Sequence, residues 1–189
     1  MPNVYILAGP NGSGKSTAAR ALLPQFLHCA EFVNADEIAR GLSAFHPENV
    51  AFQAGRMMMA RLHELARQRG DFAFETTLAS RTFAPWLRQL QSEGYEFHLH
   101  YFCLPSVEMA IERVAFRVRA GGHHVPEEDI RRRFDRSRSN FLKLYMPLAN
   151  SWEFYDTSFS DPNLVALGGQ GKQATIRDPL LWTNLTRKL

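Results

Sequence analysis

The chain has 189 residues, a formal net charge of +3, 45% hydrophobic and 22% charged residues, which predicts one globular domain spanning 1–189 and excludes wholesale disorder. Two cysteines, Cys29 and Cys103, without a CxxC pair, exclude a disulfide scaffold and a cysteine-rich zinc site. No apolar run nears the ~20 residues needed to span a bilayer, and MPNVYILAGP lacks the basic start of a secretory signal, so no membrane contact and a cytoplasmic location are expected.

The elements follow in order. Val4 to Ala8 is a short apolar run ending at Gly9 and reads as a buried strand. Lys15 to Leu23 reads as a helix stopped by Pro24, and Phe32-Val33-Asn34 as a second strand. A helical pattern runs from about Pro47 to Arg69, ending at Gly70. Phe72 to Glu75 is a third strand, Trp86 to Glu93 a helix, and Glu96 to Leu104 a fourth strand. Val107, Ile111, Val114 and Val118 recur at helical spacing and mark a buried face, closed by Gly121-Gly122. Pro126 opens another helix, with Glu127, Glu128 and Asp129 near its positive end, running past Arg138 towards Tyr145. Trp152 to Tyr155 is a fifth strand. Leu164–Leu167 and Ala174–Ile176 read as a small hairpin, and Asp178-Pro179 starts a closing helix. Strands alternating with helices predict a mostly parallel sheet covered on both faces.

Gly9-Pro10-Asn11-Gly12-Ser13-Gly14-Lys15-Ser16, followed by Thr17, matches GxxxxGK[ST] between a strand and a helix. In that setting the glycines let successive N–H groups point at phosphate oxygens, and the helix adds its positive end. Lys15 is expected to reach the β- and γ-phosphates and the Ser16 hydroxyl to ligate Mg²⁺. The expected fold is therefore a three-layer α/β P-loop NTPase fold with a mostly parallel five-stranded sheet. The implied ligands are ATP or GTP with magnesium.

Ligands in open α/β sheets sit at the carboxyl ends of strands. Asp36, just after the second strand, is placed there to accept the proton of an attacking hydroxyl, or to cap the helix that follows. Glu75 ends the third strand and suits a magnesium-bound water or a substrate hydroxyl. Thr76 and Thr77 follow it as hydrogen-bond donors to substrate or phosphate.

Residues 113–138 hold eight arginines against four acids, a net +4, which leaves 14 basic and 15 acidic residues in the rest of the chain. With Gly121-Gly122-His123-His124 joining two helices, this segment reads as a lid whose arginines cover a transferring phosphoryl group and exclude water. Arg117 and Arg133, then Arg113, are the expected phosphate contacts. Only Phe116 and Phe134 offer bases a stacking surface here, which disfavours a nucleic-acid partner. His98 and His100 share a strand face but lack a third metal ligand. Trp152 and Tyr155 fit either core packing or a place beside an adenine.

The ordered set of Gly9–Thr17, Val33-Asn34-Ala35-Asp36, Phe74-Glu75-Thr76-Thr77-Leu78 and Arg113 through Arg133 with Gly121-Gly122-His123-His124-Val125-Pro126 resembles the zeta-toxin family of P-loop kinases, over about residues 3–160. The resemblance implies a kinase-type sheet and nucleotide-dependent phosphorylation of a hydroxyl, the acceptor in studied members being a UDP-activated amino sugar. It implies Asp36 as the base, Glu75 and Thr77 as substrate-binding, Arg113 as phosphate-binding, and an antitoxin as a protein partner. The family's Glu-Gly-Thr-Leu-Arg reads Glu75-Thr76-Thr77-Leu78-Ala79 here, with Arg81 two residues on, and a second lid arginine aligns near His123. A small-molecule hydroxyl acceptor is the leading expectation. A nucleic-acid end kinase or nucleic-acid-stimulated NTPase, and a nucleotide-binding toxin or partner-binding module, are the alternatives.

Overall fold

The computed structural model describes residues 1–122 and 124–186. Seven strands form one sheet: β1 (Asn3–Ala8), β2 (Phe32–Val33), β3 (Phe72–Thr76), β4 (Glu96–Cys103), β5 (Ser151–Asp156), β6 (Asn163–Gly169) and β7 (Lys172–Ile176). Their order is β2-β3-β1-β4-β5-β6-β7. The first five are parallel, as expected from the alternation of strands and helices. The expected sheet had five strands, with a small terminal hairpin after them. Instead β6 pairs antiparallel with β5 and extends the same sheet.

Among the described residues seven α-helices accompany the sheet: α1 (Lys15–Gln25), α2 (Ala35–Leu42), α3 (Ala51–Arg67), α4 (Phe83–Ser92), α5 (Val107–Arg119), α6 (Glu127–Asn140) and α7 (Pro179–Thr186). Helix α1 outlasts its expected stop: Pro24 lies in the last turn and the helix ends one residue later. The pattern that starts at Pro47 opens with a 3₁₀ turn over Pro47–Val50 before α3. After α6 the chain makes a π turn over Phe141–Tyr145.

Strand period divides the core between two sheet faces. Val4, Ile6 and Ala8 join Phe97, Leu99, Tyr101, Trp152 and Phe154 on one face, under α3, α4 and α7 residues. Leu7, Ala73 and Phe102 meet Ala19 and Leu23 of α1 on the other. Leu104, Ala110, Val114, Val125, Ile130 and Phe134 form a third cluster that joins α5 to α6. Register sets the functional end. Ala8 pairs with both Thr76 and Tyr101, so β1 and β3 end at one level while β4 runs on two residues to Cys103, and the Gly9 loop emerges beside Glu75. Among the described residues no helix is long and apolar enough to cross a membrane.

Candidate active site

The loop from Gly9 to Gly14 is held tight by close approach. A Cβ on Gly9 (φ 141°) would sit 2.1 Å from the Phe102 carbonyl oxygen, and one on Gly12 (φ 79°) 2.8 Å from that of Ala110. Only glycine fits both places. Gly14 precedes α1 in the left-handed region with no side-chain cap, and the first turn of α1 carries no acid. The orphan amides of that turn, with the positive end of the helix, therefore face the cavity lined by Gly14, Lys15, Ser16 and Thr17. Asn11 Oδ1 and Ser13 Oγ are buried polar atoms with no protein partner. The Ser13 hydroxyl and the orphan amides can donate to an oxyanion, whereas the Asn11 amide oxygen can only accept.

Lys15 is 6% exposed. Its Nζ donates to the Pro10 carbonyl at 3.0 Å and lies 3.7 Å from Glu75 Oε1. Burial lowers the pKa of its ammonium, and the nearby Glu75 and Asp36 carboxylates act in the opposite direction. Glu75 Oε2 accepts from Ser16 Oγ at 2.7 Å and from Asn34 Nδ2 at 2.9 Å. A hydroxyl and a carboxylate side by side are hard oxygen donors of the kind magnesium takes when substrate phosphates complete its shell. The residues present therefore fit that ion.

Asn34 is the residue that sequence reasoning passed over. Capping α2 was the alternative role expected for Asp36, but Asn34 fills that place: its Oδ1 accepts from the amides of Asp36 at 2.8 Å and Glu37 at 3.4 Å. One side chain thus sets the first turn carrying Asp36 and, through its amide nitrogen, holds Glu75. The signal was present, since asparagine after a strand and two residues before paired acids is a good N-cap.

These groups open into one cavity of about 520 Å³. Gly12, Lys15, Ser16 and Thr17 line one side, and Asp36, Glu75, Thr76 and Thr77 also face it, together with Arg113, Arg117 and Arg133. Thr76 Oγ1 accepts from Leu78 N at 3.1 Å and Thr77 Oγ1 from Ala79 N at 3.4 Å, which leaves each O–H to donate. A second cavity of about 610 Å³ adjoins across Gly14, Thr17 and Arg113. Ala18, Leu22, Phe102, Tyr155 and Phe159 give it apolar walls. Its outer loop is tied down by Arg113 Nη2 donating to the Ser158 carbonyl at 2.9 Å.

Other candidates lie elsewhere. Arg81 is exposed and does not line the cavity; its Nε donates to Asn140 Oδ1 at 3.5 Å, drawn there because Asn140 also clamps the Leu78 carbonyl at 2.7 Å. His123 lies outside the described residues. Trp152 packs in the core and stacks on Trp182, whereas Tyr155 reaches the second cavity. The ring nitrogens of His98 pair with Ser151 and Asn3, and His100 Nδ1 with Glu153. Among the described residues no group of three or more His, Cys, Asp or Glu is placed to hold a metal.

Gly121 and Gly122 close α5 rather than leave a loose joint. Gly121 N donates to Val118 O at 3.0 Å and Gly122 N to Arg117 O at 2.9 Å, the paired bonds that end a helix. The far end of α6 is fixed too. Ser137 bonds the Tyr101 hydroxyl, buried Arg138 donates to the Leu185 carbonyl, and Asn140 holds Leu78.

Residues 4–141 match the AAA domain family. The chain belongs to that family. An uncharacterised protein of Haemophilus influenzae is 29% identical over 126 residues, covering 67% of this chain and 88% of that one. A chain of the AvrRxo1-ORF1:AvrRxo1-ORF2 complex with ATP superposes at a TM-score of 0.80 and 18% identity, over 98% of this AAA-domain chain. This chain spans 64% of that longer one. The PezAT toxin–antitoxin system of Streptococcus pneumoniae gives 0.67 and 16%, covering all of this chain and 80% of that one. At these identities the likeness to the solved structures is one of fold, and it is that of a P-loop α/β domain.

Proposed function

We propose that the protein is a magnesium-dependent kinase that transfers the γ-phosphate of ATP or GTP to a hydroxyl of a small molecule. One observation carries this reading: the buried Lys15 and the half-buried Ser16 share a cavity with the Asp36 carboxylate, and a second, apolar-walled cavity adjoins it at Gly14 and Thr17. The second cavity takes the base and ribose, and the loop between the two takes the phosphates.

On this reading Lys15 and the amides at the start of α1 hold the β- and γ-phosphates. Ser16 Oγ, with Glu75 behind it, would hold magnesium, which supplies charge neutralisation between those phosphates when bound. Asp36 accepts the proton of the acceptor hydroxyl as its oxygen attacks the γ-phosphorus. The bond from that phosphorus to the bridging oxygen breaks, and the nucleoside diphosphate leaves. Thr76 and Thr77 donate to the acceptor. Arg113, Arg117 and Arg133 spread the charge of the transferring group. Both ends of the 113–138 lid are built into the domain, through Arg113 on the Ser158 carbonyl and Arg138 on the Leu185 carbonyl.

The finer reading is a zeta-toxin-like kinase with a nucleotide-activated sugar acceptor, an antitoxin partner and a cytoplasmic setting. It is supported by the order of the four motifs and by fold likeness to the PezAT protein. Ala79 and His123, where that family carries arginine, argue for a different acceptor headgroup.

Incubation with γ-labelled ATP, magnesium and a bacterial metabolite extract tests the reading. Label is expected in a small-molecule product. Label found only in inorganic phosphate, or only in an added 5′-hydroxyl oligonucleotide, refutes it.

A further inference from the structure

Helix α3 carries a glycine that its own packing does not require. Gly55 sits in the interior of Ala51–Arg67, where glycine is less favourable than alanine. It is not among the glycines with positive φ, so no special backbone conformation calls for it. A Cβ built on it meets nothing within 4 Å, so no close approach calls for it either. Its neighbours Ala54 and Met58 are buried in the ordinary way. What Gly55 does is line the cavity that holds Asp36 and Lys15.

We infer that Gly55 is a specificity-determining residue: it leaves α3 bare so that a bulky, weakly polar part of the acceptor can lie against the helix backbone. The cavity lining combines the apolar surface of Ala35, Gly55, Met58 and Phe83 with the charged groups Lys15, Asp36, Glu75 and the three arginines and with polar Ser16, Asn34, Thr76 and Thr77. An acceptor matched to both would present its hydroxyl to Asp36 and a ring or other compact uncharged face to Gly55, Met58 and Phe83. A small, uniformly polar polyol would leave that apolar wall wet and the glycine without purpose. The inference rests on the kinase reading above and sharpens it to the shape of the acceptor.

The test uses the full chain with Gly55→Ala and Gly55→Leu. Three quantities are read: the unfolding temperature, the affinity for trinitrophenyl-ATP, and label transfer from ATP into a bacterial metabolite extract at increasing extract concentration. Gly55→Ala is expected to unfold a few degrees higher, because it relieves a helix glycine in open space. It should also need roughly three-fold more extract for half-maximal transfer, with the maximal rate within about two-fold. Gly55→Leu is expected to lose transfer by at least about ten-fold while trinitrophenyl-ATP affinity stays within about two-fold. If Gly55→Leu fails to fold, which loss of trinitrophenyl-ATP binding reports, Gly55→Ala carries the test. Wild-type transfer that neither variant alters overturns the role of Gly55 and leaves the kinase reading standing. Absence of transfer by the wild type overturns both.

Discussion

Replacing Asn34 tests whether one side chain couples the two halves of the site. Its Oδ1 caps α2 through the amides of Asp36 and Glu37, and its Nδ2 donates to Glu75 at 2.9 Å. Loss of an N-cap costs about 0.5–2 kcal/mol. Loss of a donor to an ionised acceptor costs about 1.5–3 kcal/mol, taken at the lower end because Ser16 and Lys15 still serve Glu75. Asn34→Ala should therefore destabilise the nucleotide-free protein by roughly 2–4 kcal/mol. At about 2–4 °C per kcal/mol for a chain of this size, that is a drop of roughly 4–16 °C in unfolding temperature. Asn34→Ser keeps a capping oxygen and loses only the donor, so about half of that drop is expected. Asn34→Asp keeps the cap and sets a second carboxylate against Glu75. Two carboxyls that close cannot both ionise, so one keeps its proton to a higher pH in the folded state. A folded pKa raised in this way gives stability that is present in acid and lost as pH rises, so this variant should be less stable relative to the wild type at neutral pH than in acid. Scanning calorimetry without nucleotide reads all three. Asn34→Ser unfolding within 1 °C of the wild type would refute the coupling to Glu75, and Asn34→Ala no worse than Asn34→Ser would refute the cap.

Asp36→Asn should lower phosphoryl transfer by about 10²–10⁴-fold in the labelled-ATP assay, with trinitrophenyl-ATP affinity nearly unchanged; unaffected transfer removes Asp36 from the role of base. Burial lowers the folded pKa of Lys15, so the unfolded chain binds more protons between that lowered value and about 10.4. Stability of the nucleotide-free protein should accordingly rise with pH through that window. Lys15→Met should flatten the rise in a denaturant titration series, and an unchanged slope would count against a buried, charge-strained lysine. Ala18→Leu fills the second cavity from α1 and should weaken ATP binding by ten-fold or more, with tripolyphosphate affinity unchanged when both are measured by calorimetry. Equal weakening of the two would place the base elsewhere.

The chain of strands was legible because a parallel sheet buried on both faces writes continuous apolar runs, and Val4–Ala8 and Phe72–Phe74 are such runs. The fate of the terminal hairpin was not, because the apolar run Leu164–Leu167 marks a strand and does not say which edge it pairs with. The P-loop was legible because its glycines serve local geometry. Asn34 was missed for the opposite reason: its second bond, to Glu75, spans 41 residues of sequence and exists only once β2 lies beside β3. Arg81 was drawn towards the site by its place two residues after Ala79, where the zeta-toxin pattern carries arginine. In the fold, Leu78 takes a left-handed turn (φ 55°) held by Asn140, and the chain after it leaves the cavity. Short-range spacing is a poor guide past such a turn.

The same limit bears on charge. A net +4 in residues 113–138 describes a stretch of sequence, and the structure divides it. Arg131 pairs with Glu127 and Glu108, and Arg132 with Asp129, in exposed contacts of little energetic weight. Arg138 is buried beside the Leu185 carbonyl. Arg113, Arg117 and Arg133 line the cavity, and with Lys15 against Asp36 and Glu75 they give its walls a formal +2. A triphosphate that has already bound magnesium carries a net negative charge of similar size. Non-specific nucleic-acid binding would need the opposite arrangement, a continuous basic track along an outer face. In this fold much of the outer basic charge is matched by acids and the cavity holds the excess, so the field favours a compact anion entering the pocket over a polyanion lying across it.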